Sequence, residues 1–142
     1  MELTTIYGTA FWGIFIILVT WMVQWFVAAG SKARKEGAIP GKVDESLGHE
    51  SFSFRAHRTF MNSIENVPAM LGVIMLAILI GADAFWVMIC IWSFAVARIL
   101  HMLLYYAVAT NENPSPRSYF FLMGLVSNIA LLILCAITMV NF

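Results

Sequence analysis

Eight polar side chains interrupt an otherwise apolar sequence at spacings that could do chemistry. Arg55, Arg58, Asn62 and Glu65 are separated by three, four and three residues. On a helix, at about 100° per residue, they fall within an arc of roughly 80°. Arg98, His101 and Tyr105, spaced three and four, share an arc of roughly 60°. Arg117 stands further on. Arginines hold carboxylates through paired N–H···O bonds, whereas a glutamate and an asparagine suit an amine or an amide. Together these residues fit a small, multiply anionic, amine-bearing molecule, peptide-like rather than a bare ion. A buried ion-pair network that only fixes helix packing would use the same residue types. Buried pairs are poor stabilisers where apolar packing would serve, so this set reads as a ligand site. His57 lies off the arc and His49 lies in a loop; neither has a second ligand at metal-binding spacing, and no metal is expected.

These residues sit on elements meant for lipid. Of 142 residues, 61% are hydrophobic and 11% charged, against about 45–50% and about 25% in a soluble domain. A helix that crosses a bilayer needs about 20 mostly apolar residues, and four segments qualify: approximately 6–29, 54–81, 84–107 and 118–140. The expected fold is an all-α integral membrane bundle of four helices, one domain over residues 1–142. A charge near the bilayer centre costs about 2.5–3.5 kcal/mol, so Glu65 and Arg98 need a reason to be there. Counted from the first-loop edge, Glu65 is roughly 15 Å deep and Arg98 roughly 12–15 Å. The similar depth implies a polar cavity lined by the second and third helices and capped by Arg117. Pro68 removes a helical hydrogen bond to Ile64, and a kink there would open space beside Glu65.

The same composition excludes other classes. Disordered chains are polar and charge-rich. Eight Lys+Arg balance eight Asp+Glu, leaving no basic excess for nucleic acid. Cys90 and Cys135 stand alone inside apolar runs and read as small core residues. The first span lacks a basic leader and has too long an apolar core for a cleaved signal, so it is expected as a retained helix. Lys32, Arg34, Lys35, Lys42, Arg55, Arg58 and Arg117 cluster at one end, which the positive-inside rule places in the cytoplasm. Nothing at either end resembles a retention signal, which favours a bacterial inner membrane over the endoplasmic reticulum.

The segment from Arg55 to Pro68 reads Arg-x-x-Arg-x-x-x-Asn-x-x-Glu-x-x-Pro. This resembles the signature of the membrane-associated proteins in eicosanoid and glutathione metabolism (MAPEG). Arg98-x-x-His101-x-x-x-Tyr105 resembles the third-helix pattern of the prostaglandin E synthase and microsomal glutathione transferase members, and Arg117-Ser118 resembles the Arg-Ser pair opening their fourth helix. The resemblance covers all four helices in order. It implies a homotrimer with glutathione sites between neighbouring subunits. It implies Arg58, Asn62, Glu65, Arg98, His101 and Tyr105 as glutathione ligands, with Arg34, or Lys35 by nearly equal spacing, reaching in from the first helix. It implies catalysis by Arg117, Ser118 and Tyr105: Arg117 favouring the thiolate, Ser118 donating a hydrogen bond, Tyr105 positioning the tripeptide. Glutathione would be the co-substrate, and a lipophilic electrophile or hydroperoxide arriving from membrane lipid the second substrate, as in detoxification. The alternatives are a non-catalytic lipid-binding protein of the same fold and a small transporter. The latter's polar residues should span the membrane rather than cluster in one half.

Overall fold

The computed structural model describes residues 2–34, 37–39, 42 and 44–141. Four helices follow one another: α1 (Glu2–Ala33), α2 (Phe52–Leu79), α3 (Ala84–Ala107) and α4 (Pro116–Val140). Each is long and apolar enough to cross a membrane. The 32 residues of α1 extend about 48 Å at 1.5 Å per residue, well beyond a hydrocarbon core of about 30 Å. The expected end near residue 29 is therefore too early. Helical hydrogen bonding continues through Gly30, Ser31 and Lys32 after the apolar run has ended.

The turns explain the other boundaries. Leu79, not residue 81, ends α2. Gly81 takes φ 70°, its N–H reaches the carbonyl of Ile78 and the N–H of Ala82 reaches that of Ala77. These are the two bonds of a Schellman motif, which glycine permits because it carries no Cβ. Asp83 then caps α3, accepting from the backbone N–H groups of Phe85 and Trp86 at 3.1 and 3.2 Å. A helix stop and a helix start thus share four residues, Ile80 to Asp83. At the other end α4 begins at Pro116 rather than residue 118. Proline fits the first helical position, and Ser115 and Ser118 form a capping box around it.

The pair α2 and α3 is central. Helices α1 and α4 each pack on both, with no close backbone approach between α1 and α4 among the described residues. Ile17, Met70, Ile74, Val87, Ile91, Phe94, Leu131 and Cys135 fill the contact zone. Cys90 and Cys135 are free and buried. In lipid no hydrophobic force drives helices together, so close approach and interhelical hydrogen bonds must serve. Gly13 supplies the approach: a Cβ there would lie 2.6 Å from Ile91 Cγ2. Hydrogen bonds follow from Trp92 Nε1 to the Thr9 carbonyl at 3.0 Å and from Ser127 to Ser93 at 2.9 Å. The outer faces leave Trp12, Phe15, Leu122 and Ile133 exposed, as a lipid-facing surface should.

Two local features differ from expectation. The 28 residues of α2 stay helical through Pro68. The departure from helical geometry lies in α1 at Tyr7, with φ −108° and ψ 15°. The Tyr7 hydroxyl donates to the Ala82 carbonyl at 2.5 Å, tying the start of α1 to the α2–α3 turn.

Candidate functional site

Arg98 is the deepest of the cations, only 2% exposed. Its Nη1 donates to Asn62 Oδ1 at 2.8 Å and its Nη2 to Ser63 Oγ at 2.7 Å. The helical spacing that put Asn62 on the polar arc of α2 is what aims it at α3. Ser63, one position on, was not expected. Both acceptors are neutral, and Arg98 Nε is buried without a partner. Similar depth does not bring Glu65 to Arg98. Glu65 and Arg58 lie exposed on the outer flank of α2, whereas Arg98 is buried against Asn62 and Ser63.

The second cluster surrounds Tyr105, which is 7% exposed. The guanidinium carbon of Arg117 lies over its ring, 4.1 Å from the centroid. The His101 ring is 5.6 Å away, edge-on, and the His49 ring 5.8 Å away at 31°. Four chain positions thus meet from the α1–α2 loop, α3 and α4. A cation over an aromatic face gains about 0.5–2 kcal/mol, more as water is excluded. His49 Nδ1, His101 Nδ1 and Arg117 Nη1 are all buried without hydrogen-bond partners among the described residues. Such groups cost about 1–3 kcal/mol each when left unmet, which makes the surroundings of this ring a candidate ligand site. The His49 imidazole is held below its ordinary pKa, first by burial and then by Arg117 and Arg58; Glu50 opposes and Arg55 adds a smaller push. It is therefore neutral at pH 7.

Arg55 has a different task from the one its place on the arc suggested. Its Nη1 donates to the main-chain carbonyls of His49 at 2.6 Å and Glu50 at 3.0 Å, and its Nη2 to that of Tyr106 at 3.2 Å. It ties the loop end to the last turn of α3, whose carbonyls have no helical donors. Glu50 in turn accepts from the Gly48 N–H at 2.9 Å. Its own backbone N–H and that bond hold its carboxyl below the usual carboxylate range.

Three further candidates lie elsewhere. Arg34 lines a cavity of about 610 Å³ between the ends of α1 and α2, with Phe26, Ser31, Ser51 and Phe52 among its walls. On α2, Phe52 and Ser53 point away from the Arg58–Glu65 flank by helical phase, so Arg34 faces the opposite side of that helix. Lys35, its alternative, lies outside the described residues. The Ser118 hydroxyl accepts from the Ser115 N–H at 3.2 Å and meets the Ser115 hydroxyl at 3.2 Å. It caps α4 directly beside Arg117. No periodicity in the loop could have revealed His49; its one signal is its place two residues before the N-cap Ser51.

With this geometry in place, comparison with known families gives one finding. The model of the MAPEG family matches residues 9–137, nearly the whole chain. The protein belongs to the MAPEG family, and is a multi-pass membrane protein with the four spanning helices that family membership fits. No curated protein and no solved structure matches it.

Proposed function

We propose that this chain is a membrane-bound glutathione-dependent transferase, with peroxidase activity toward hydroperoxides. The observation that carries the reading is the pair of buried nitrogens of His101 and Arg117 beside Tyr105, without hydrogen-bond partners among the described residues. Arg117 gives that place a positive charge suited to a small anionic ligand, and MAPEG membership directs attention to glutathione.

A free thiol has a pKa near 8.5, so little is ionised at neutral pH. A fixed guanidinium beside the sulfur favours the thiolate. In this reading Arg117 stabilises the glutathione sulfur as it loses its proton, Tyr105 positions the tripeptide, and Ser118 contributes by holding Arg117 through the cap. Arg58, Asn62, Glu65, Arg98 and His101 bind the charged and amide groups. The thiolate attacks a lipophilic electrophile from the bilayer; a carbon–sulfur bond forms and the leaving group departs. Loss of catalysed conjugation with every lipophilic electrophile tried would overturn this reading.

Arg58 and Glu65 are exposed on one flank of α2, and Arg34 faces the other side. Charges exposed at bilayer depth are costly. A homotrimer, in which each α2 flank meets a neighbouring chain and Arg34 serves a neighbour's site, removes that cost. The positive end faces the cytoplasm in this arrangement, by the charge bias of its loops, in a bacterial inner membrane. Chemical crosslinking in native-like bilayers tests it: a ladder ending at three chains is expected, and a monomer only would contradict it.

A further inference from the structure

We propose that His49 is a positioning residue: its ring holds the end of the α1–α2 loop, residues 47–51, against α2 and α3 and keeps Tyr105 and Arg117 in register. This deepens the glutathione reading and rests on it for its consequence, though not for its geometry.

Three observations carry the inference. The His49 ring meets aromatic rings of two different helices, Phe54 of α2 at 5.0 Å edge-on and Tyr105 of α3 at 5.8 Å. Its main-chain carbonyl is held by Arg55, the same guanidinium that bonds the carbonyl of Tyr106, next to Tyr105. Its Nδ1 is buried and has no hydrogen-bond partner. The loop end is therefore fixed twice, by main chain and by side chain, and both fixings lead to the Tyr105 end of α3. Each aromatic pair of this kind favours the packed arrangement by about two- to tenfold.

The charges around the imidazole give this packing a sign. Arg117 faces it from α4, Arg58 and Arg55 from α2, Glu50 from its own loop, and Tyr105 and the neighbouring His101 from α3. Three arginines outweigh one carboxylate. A protonated His49 would be a fourth cation in that group. Its pKa is lowered in the folded chain, so the packed loop end is fully stabilised above the ordinary histidine pKa and loses that stabilisation as pH falls through the lowered one.

The test uses the intact protein in bilayer nanodiscs with S-methylglutathione, whose blocked sulfur cannot titrate. For the native chain, affinity is expected to fall as pH is lowered from neutral through the lowered histidine pKa. His49→Phe keeps a flat ring without a titrating nitrogen, and should bind at neutral pH within about threefold of the native chain and show no acid limb. His49→Ala should bind about tenfold more weakly and speed amide hydrogen exchange of residues 47–51. An acid limb that persists in His49→Phe, or His49→Ala indistinguishable from native in affinity and exchange, would overturn the proposal. If the native chain binds no S-methylglutathione, the glutathione reading fails. The exchange experiment still decides the packing: faster exchange in His49→Ala with native exchange in His49→Phe supports it, and native exchange in both contradicts it.

Discussion

The guanidinium of Arg117 lies 4.1 Å above the ring of Tyr105, joining the first turn of α4 to the last turns of α3. Loss of this pair removes the positive charge from the proposed sulfur position while leaving Arg98 and its partners in place. Arg117→Ala is expected to lower turnover by about two orders of magnitude, the usual cost of one transition-state charge contact, with glutathione affinity reduced less. Arg117→Lys should recover part of the rate, since a point charge remains without the planar stack. Steady-state kinetics with a lipophilic electrophile checks both.

Arg98 separates binding from folding. Its charge is buried against two neutral acceptors; burying an ion costs several kcal/mol, and hydrogen bonds to charged groups return about 1.5–3 kcal/mol each. Arg98→Met should therefore change stability by no more than about 2 kcal/mol while weakening glutathione binding at least about tenfold, one charge-assisted contact. Calorimetric titration and thermal unfolding in the same detergent decide this. An unfolded variant, or a folded one with native affinity, contradicts the role.

The α1–α3 contact has its own test. A methyl at Gly13 would meet Ile91 Cγ2 at 2.6 Å, and Ile91 is fully buried. Gly13→Ala is expected to destabilise by about 1–3 kcal/mol, the usual range for overpacking. Ile91→Ala removes the opposing methyl, so the double variant should lose less than the two single losses combined. A strictly additive pair would show that the two side chains do not meet.

The loop end should loosen in acid for a second reason besides His49. The Glu50 carboxyl titrates below the usual range because the Glu50 and Gly48 N–H groups bond to its charged form. A lowered carboxyl pKa means stabilisation present above the ordinary value and lost as pH falls through the lowered one. Amide exchange at Gly48 should rise as pH falls through that lowered carboxyl range. Glu50→Gln should abolish this lower step and leave the histidine one.

The four helices were legible because charge-free windows of spanning length admit little else. Their ends were less so, for apolarity and helical hydrogen bonding stop at different residues. Thus α1 runs on to Ala33, while Pro116 and Ser115 set the α4 start by their own chemistry. Within the candidate site, helical phase put Asn62 on the face that meets Arg98 and His101 beside Tyr105, because each lies on a regular element. It could not find His49, whose position depends on the path of an aperiodic loop. It grouped Arg55 with the ligand residues although the first turn of α2 turns that side chain to the loop and to α3. Equal depth suggested that Glu65 and Arg98 share a cavity; depth fixes height in the bundle but not the direction each helix face looks.

The most direct test of the account is ultraviolet difference absorbance of the purified protein as glutathione is added at neutral pH, beside Arg117→Ala. The native chain should give a saturable thiolate band, and the variant should saturate with a much weaker one. Glutathione binding without a thiolate band in the native chain, or an equal band in Arg117→Ala, would contradict sulfur activation by Arg117.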